Sequence, residues 1–155
     1  MSNKSGLIVS MRNVQRHYGK RPDLLEKNKR IEESGKCPFC PAGIKKKKFA
    51  VLGELDDWNI VLSQFPYPDT VVHILVVPKR HIISSLDLRP LEWVHWPEIL
   101  RIIKAKYPFI EEGFGIGMRE KELGGVTLYH LHFHIIVPKT NIQGFAENPV
   151  NFPIG

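Results

Sequence analysis

The stretch Tyr129-His130-Leu131-His132-Phe133-His134-Ile135-Ile136-Val137-Pro138 decides how the chain is read. Three histidines alternate with Leu131, Phe133 and Ile135, and Val137 extends the apolar set. A period of two marks a β-strand, because successive side chains leave a strand on opposite faces. His130, His132 and His134 are therefore expected on one face, at intervals of about 6.6 Å. Leu131, Phe133, Ile135 and Val137 are expected on the other face, in the core. A lone histidine here would read as an ordinary surface or packed residue. Three on one face, backed by an apolar face, make a row of ring nitrogens suited to a metal or a substrate.

Upstream, Val71-Val72-His73-Ile74-Leu75-Val76-Val77 is almost wholly apolar, the pattern of a central strand buried on both faces. Residues 49–52 and 58–62 read as two further strands joined by an acidic turn at Asp56-Asp57, and 65–69 as a turn-rich loop. Residues 111–118 carry glycine at 113, 115 and 117 and read as a strand closely approached on one face. No helix is expected to follow it directly, so it is not a dinucleotide loop. Pro90 suits the first turn of a helix, Pro97 should divide that helix, and Ile99, Leu100, Ile102 and Ile103 give helical spacing to about Lys106. Residues 119–125 read as a polar turn. Asp23-Leu24-Leu25-Glu26 resembles a capping box, with Asp23 as N-cap of a helix over 24–33 that Gly35 stops. His17 and His95 read as exposed.

The order helix, three strands, helix, two strands, with short connections, predicts an α+β fold. It has an antiparallel sheet of about five strands, a main helix on one face and an N-terminal helix. Residues 1–22 are expected to form a loosely ordered arm with a short strand at 7–11, residues 23–138 a single domain, and 139–155 an irregular tail.

At 155 residues, 43% hydrophobic and 25% charged, the chain suits one domain with a real core. No apolar run approaches the ~20 residues of a membrane span. The apolar stretch at 7–9 is too short for a convincing signal peptide, so the expected location is cytoplasmic. A net charge of +6 favours anionic partners such as nucleotides or nucleic acid. The run Lys45-Lys46-Lys47-Lys48 reads as a solvated loop.

Cys37-Pro38-Phe39-Cys40 places two thiols where both can reach one tetrahedral ion. A redox pair would open a helix just after a strand. Here a helix precedes the motif and Pro41 follows it, which suits metal better. Two cysteines cannot close such a site, and histidines are the obvious source of the remaining ligands.

The segment His130-Leu131-His132-Phe133-His134-Ile135-Ile136 resembles the signature of the histidine-triad (HIT) superfamily, His-φ-His-φ-His-φ-φ with φ apolar. Gly124-Gly125-Val126-Thr127-Leu128 is similar to that family's glycine and hydroxyl lead-in. His73, Pro78 and His81 match its upstream strand, with Val72 where a glycine is usual. The resemblance spans roughly 36–138. It implies hydrolysis or transfer at the α-phosphate of a nucleotide through a covalent nucleotidyl-histidine, with dinucleoside polyphosphates or nucleoside phosphoramidates as the substrate class. His132 would be the nucleophile and His134 a donor to the phosphoryl oxygens, with His130 the third triad member. Thr127 and the Gly125 backbone would add phosphate contacts, and Ser63 is the nearest counterpart of the ribose-binding residue. His73 would be a satisfied histidine beside the site. Val126 stands where many members carry glutamine or asparagine. A structural zinc ion on Cys37, Cys40, His81 and His130 is implied, as is a homodimer. The rival reading is a non-catalytic nucleotide- or nucleic-acid-binding module on the same fold.

Overall fold

The computed structural model describes residues 7–155. Its elements run α1 (Met11–Tyr18), α2 (Pro22–Ser34), α3 (Pro41–Lys46), β1 (Val51–Glu54), β2 (Trp58–Leu62), β3 (Thr70–Pro78), α4 (Pro90–Val94), α5 (Trp96–Lys106), β4 (Gly115–Met118), α6 (Lys121–Gly124) and β5 (Phe133–Pro138). Short 3-10 turns stand at Ser85–Asp87 and Pro108–Glu112. The five strands form one sheet in the order β1-β2-β3-β5-β4. Every neighbouring pair is antiparallel, which is the expected α+β architecture.

β3 is central and buried on both faces, which is why its sequence is a continuous apolar run. Val72, Ile74 and Val76 face α5 in the main core, with Trp58, Ile60, Ile99, Ile103, Leu131, Phe133, Ile135 and Val137. Leu75 and Val77 face the other way, against Val61, Phe39 and Ile44. On β5, His134 stands opposite Leu75 of β3 and Gly117 of β4. The histidine face is therefore roofed by the N-terminal half of the chain, and α5 covers the opposite face.

Several boundaries differ from expectation for identifiable reasons. Residues 11–18 form a helix inside the segment read as a loose arm, and the strand expected at 7–11 shrinks to one bridge between Val9 and Leu128. The rest of that arm, residues 1–6, lies outside the described residues. Ser10 caps α1 by accepting the Asn13 N–H. Asn13 then donates from its side chain to the Val126 carbonyl at 2.9 Å, and Ser10 N–H donates to Thr127 O at 3.0 Å. These anchors are polar, so no apolar periodicity announces them. α2 starts at Pro22 with Arg21 as N-cap, while Asp23 pairs with Arg21 and Glu26 with Arg30; Gly35 ends it in the left-handed conformation. Part of the lysine run is helical, with Cys40 as N-cap of α3. The strand expected over 111–118 is confined to Gly115–Met118, because residues 111 and 112 belong to the turn at Pro108–Glu112, and 121–124 add a helical turn.

The triad segment itself enters the sheet only at Phe133. Pro78 has no N–H to continue the ladder, and β3–β5 pairing stops at Val76 and Phe133. The chain over 130–132 peels away, and Leu131 N–H donates instead to Ile82 O at 2.7 Å. Alternation survives this: Leu131 still enters the main core, while His130, His132 and His134 are all buried away from it.

Candidate active site and metal centre

The hydrogen bonds around the four central histidines assign a tautomer to each ring. Carbonyls only accept, so a ring nitrogen facing one must carry a proton. His132 Nδ1–H donates to the His130 carbonyl at 2.7 Å, which leaves Nε2 with a free lone pair. His130 Nε2–H donates to the Pro78 carbonyl at 2.8 Å, which frees its Nδ1. Tyr67 N–H donates to His73 Nδ1 at 3.1 Å. His73 Nε2–H therefore donates to His134 Nδ1 at 2.8 Å. His134 is left with its proton on Nε2, and that buried atom has no partner.

All four rings are biased toward the neutral form. Burial is the main cause: it brings His73, His130 and His132 down to about 4 and His134 well below its ordinary value. Mutual repulsion with neighbouring histidines adds to this for His73, His130 and His134, and the Arg119 charge for His73, His132 and His134. The His130 and Pro78 carbonyls oppose the shift at His132 and His130.

His132 and His134 open onto a cleft walled by Leu24, Ile31, Phe39, Phe49, Phe65 and Leu75, with Ser63, Thr127 and His73 also lining it. Phe39 places its ring edge-on to His132, with centroids 4.9 Å apart. Ser63 Oγ accepts the Phe65 N–H at 3.2 Å. Gly125 adopts the left-handed conformation. Its N–H is engaged by the Glu122 carbonyl at 3.1 Å, so in this conformation it caps α6 and does not point a free donor at the cleft.

Behind the histidines, Cys37, Cys40, His81 and His130 gather four ligand atoms within 4.8 Å of one another. His130 Nδ1 lies 3.3 Å from Cys37 Sγ, 3.7 Å from Cys40 Sγ and 3.2 Å from His81 Nδ1. Cys40 Sγ lies 3.3 Å from His81 Nδ1. Bonds of about 2.0–2.3 Å in a tetrahedron give ligand separations of about 3.3–3.8 Å, so the four atoms can close around one divalent ion. The donor set also asks for one, because the His130 Nδ1 lone pair faces two sulfurs and a second imidazole nitrogen. Burial pushes the Cys37 thiol up to about 12, and the neighbouring Cys40 adds to the shift.

Several residues of the site gave no sequence signal. Tyr67 stacks on His134 at 5.6 Å and packs on His73 at 4.6 Å, so the 65–69 loop orients both rings. Phe152, from the tail, meets the His134 ring at 5.1 Å. Arg119 is 5% exposed and donates from Nη2 to Tyr67 Oη at 3.0 Å. The signal that could have found it is register: Met118, the last residue of β4, pairs with Phe133, so the residue that follows the strand falls near His132. Neither His17 nor His95 is a free surface residue. His17 Nε2–H donates to Gly125 O at 3.1 Å, and His95 Nδ1 sits 3.1 Å from the Asp57 carboxylate.

A five-stranded antiparallel sheet with a helix on one face and buried histidines on the other defines the class. The HIT domain family matches residues 45–141, and the chain belongs to that family. An uncharacterized HIT-like protein of Chlamydia trachomatis is 29% identical over 83 residues, 52% of this chain and 75% of that one. A HIT-like protein of Mycoplasma genitalium is 28% identical over 126 residues, 80% of this chain and 85% of that one. Among solved structures, a histidine triad protein from Clostridium difficile is 26% identical with a TM-score of 0.52, covering 66% of this chain and 93% of that one. A histidine triad nucleotide-binding protein from Candida albicans has a TM-score of 0.54 at 18% identity, over 72% of this chain and 80% of that one, a likeness of fold alone. No helix among the described residues is long and apolar enough to cross a membrane.

Proposed function

We propose that the protein is a nucleotide hydrolase or nucleotidyl transferase that works at the α-phosphate through a covalent nucleotidyl-histidine on His132. One observation carries the reading: a lone pair on His132 Nε2 and an unpartnered N–H on His134 Nε2 belong to two rings that line one cleft. The first is a nucleophile, and the second is a donor preset for a non-bridging phosphoryl oxygen. His132 Nε2 attacks phosphorus while the bond to the leaving group breaks. The Nδ1 proton stays in place, held by the His130 carbonyl, and that carbonyl offsets the charge on the ring. Water or another acceptor then takes the nucleotidyl group from Nε2. His134 and the Thr127 hydroxyl hold the phosphoryl oxygens, the apolar walls receive the base, and Ser63 lies on the ribose side. His73 fixes the tautomer of His134.

The same reading assigns a structural zinc ion to Cys37, Cys40, His81 and His130. When bound, the ion supplies a fixed anchor for His130, whose carbonyl orients His132; it does no chemistry on substrate. Four ligands from protein would leave such an ion no open position for water. The proposal extends to a cytoplasmic enzyme with reduced thiols. It also extends to a homodimer, supported by the sheet edge at β4, where Ile116 and Phe114 are exposed. Residues 23–138 would be the domain, with the tail as an appendage.

The test is release of AMP from adenylates with a chromogenic leaving group. Turnover that disappears in His132→Ala, with the fold retained, supports the reading. Nucleotide binding without turnover in zinc-loaded wild type makes the protein a non-catalytic binding module.

A further inference from the structure

Charge is divided unevenly along the chain. Residues 1–48 hold 13 of the 22 lysines and arginines and 4 of the 16 aspartates and glutamates, so they carry +9 and the remainder −3. Helices α1, α2 and α3 fall within this basic part. Lys45, Lys46, Lys47 and Lys48 run from the last turn of α3 into the turn that follows, and all four are exposed. A lysine or two suits a helix C-terminus, but four in a row exceed that need and repel one another. Lys48 also holds a left-handed conformation, φ 53°, that favours glycine. Another cation joins them from α2: Lys27 and Lys47 line one groove with Asp23, Glu26 and Arg30. The two carboxylates of that groove are already taken, Asp23 by Arg21 and Glu26 by Arg30. Among the described residues no carboxylate pairs with Lys27 or with any lysine of the run. Burial, and then the Lys47 charge, hold the Lys27 amine below its ordinary value, so the two cations are near enough to repel. Lys27 Nζ lies 3.7 Å from the centre of the Phe65 ring, and Phe65 is 45% exposed.

We infer that Lys27, Lys45, Lys46, Lys47 and Lys48, with Phe65, form a docking surface for the backbone of a single-stranded nucleic acid. The inference goes beyond the proposed catalysis and gives none of these lysines a part in the reaction. Five cations without a free carboxylate among them fit a polymer that carries a negative charge at every repeat. The acidic remainder of the chain turns such a polymer toward this face. An exposed ring beside the cations offers a base a face to stack on, worth about 1–3 kcal/mol whatever the base. A duplex keeps its bases stacked on one another and would leave that ring unused. A lipid surface fits less well, because peripheral helices hold it through apolar side chains as well as charge. Neither α2 nor α3 contributes an exposed large apolar side chain; these stand instead at positions such as Leu91, Ile116 and Leu123.

The experiment follows the fluorescence anisotropy of a labelled single-stranded RNA of about 12 nucleotides, within the roughly 4–16 nucleotides that such surfaces cover. The zinc-loaded full chain is titrated into it at about 50 and about 200 mM salt. With five phosphates neutralised, the slope of log K against log salt is about −3.5, so affinity should fall about 100-fold between the two. The triple variant Lys45→Gln, Lys46→Gln, Lys48→Gly keeps two of the five cations and relieves the backbone at residue 48. It should bind about tenfold more weakly, or worse, at the lower salt, with a slope of about −1.4. Phe65→Leu should weaken binding about fivefold through lost stacking. His132→Ala should bind like wild type, as should Arg101→Gln with Lys106→Gln on α5, across the sheet. The triple variant should turn over a mononucleotide adenylate like wild type. No RNA binding, binding unchanged in the triple variant, an equal loss in the α5 variant, or tighter binding of the matching duplex overturns the inference. Capture by vesicles of equal parts phosphatidylcholine and phosphatidylserine without RNA binding also overturns it and assigns the patch to a lipid surface. Lysine-dependent RNA binding by a protein that turns over no adenylate sinks the catalytic reading and leaves the docking surface standing.

Discussion

His73→Phe tests how the site prepares His134. The His73 ring accepts the Tyr67 N–H at 3.1 Å and donates to His134 Nδ1 at 2.8 Å. Phenylalanine keeps most of the volume in a position only 3% exposed, yet removes both bonds. Two buried polar groups lose their partner, each at about 1–3 kcal/mol when fully unsatisfied. The cleft lets water reach part of this region, so a total loss of about 1–3 kcal/mol is expected in urea unfolding. The functional effect should be larger than the stability loss suggests. Without the His73 donor, His134 can place its proton on either nitrogen and rotate. Removing partners that orient functional histidines elsewhere costs about 10–100-fold. The expectation is a fall of that size in kcat on an adenylate, with KM changed by less than about threefold. His73→Gln, which can both accept and donate, should recover part of kcat. Unchanged kcat in a folded His73→Phe protein would refute the argument that this bond sets the His134 tautomer.

Other perturbations read separate parts of the structure. Glu92 is buried and its carboxylate accepts from Arg80 Nε and Nη2 at 2.8 Å each and from the Arg89 N–H at 2.6 Å. Breaking a buried pair costs about 3–5 kcal/mol, but about a third of the Arg80 side chain is in solvent, so Glu92→Gln should cost about 2–3 kcal/mol by urea unfolding. Arg80 holds the Glu92 carboxyl below its ordinary 4.5, so this stabilisation is present above pH 4.5 and is lost as pH falls below it. The wild type should therefore lose more stability than Glu92→Gln between pH 6 and pH 3. A Cβ at Gly117 would stand 2.7 Å from Phe152 Cζ, so Gly117→Ala should displace the tail ring and cost about 1–3 kcal/mol, with Phe152→Leu recovering part of it. Zinc analysis of protein purified without chelator should give about one ion per chain. At free zinc about 100-fold above Kd, where binding adds about 2.7 kcal/mol, stripping the ion should lower Tm by about 5–11 °C at 2–4 °C per kcal/mol.

Sequence patterns revealed what is periodic and local. β3 and the triad segment were legible because alternation and continuous burial leave their mark on side-chain type, and Pro90, Pro97 and Gly35 punctuate the helices where their backbones require it. The Cys37-x-x-Cys40 spacing together with His81 and His130 does converge on one point. What stayed hidden depends on tertiary register and on polar anchors. α1 is held to the loop before the triad through Ser10, Asn13 and Glu122, which have no apolar signature. Arg119 reaches the histidines only because β4 pairs with β5, and Phe152 only because the tail folds back across Gly117. His130 and His132 lie outside the ladder for a reason carried by Pro78 on another strand, which alternation within one segment cannot convey.

The measurement that bears most directly on the central proposal is a trapping experiment on His132. Zinc-loaded protein is mixed with an adenylate labelled at the α-phosphorus, quenched during turnover, and digested for mass spectrometry. The account predicts label on the peptide carrying His132, stable to base and released by acid, and absent from His132→Ala. Turnover at full rate in His132→Ala, or steady hydrolysis by wild type with no label on this histidine, would contradict it.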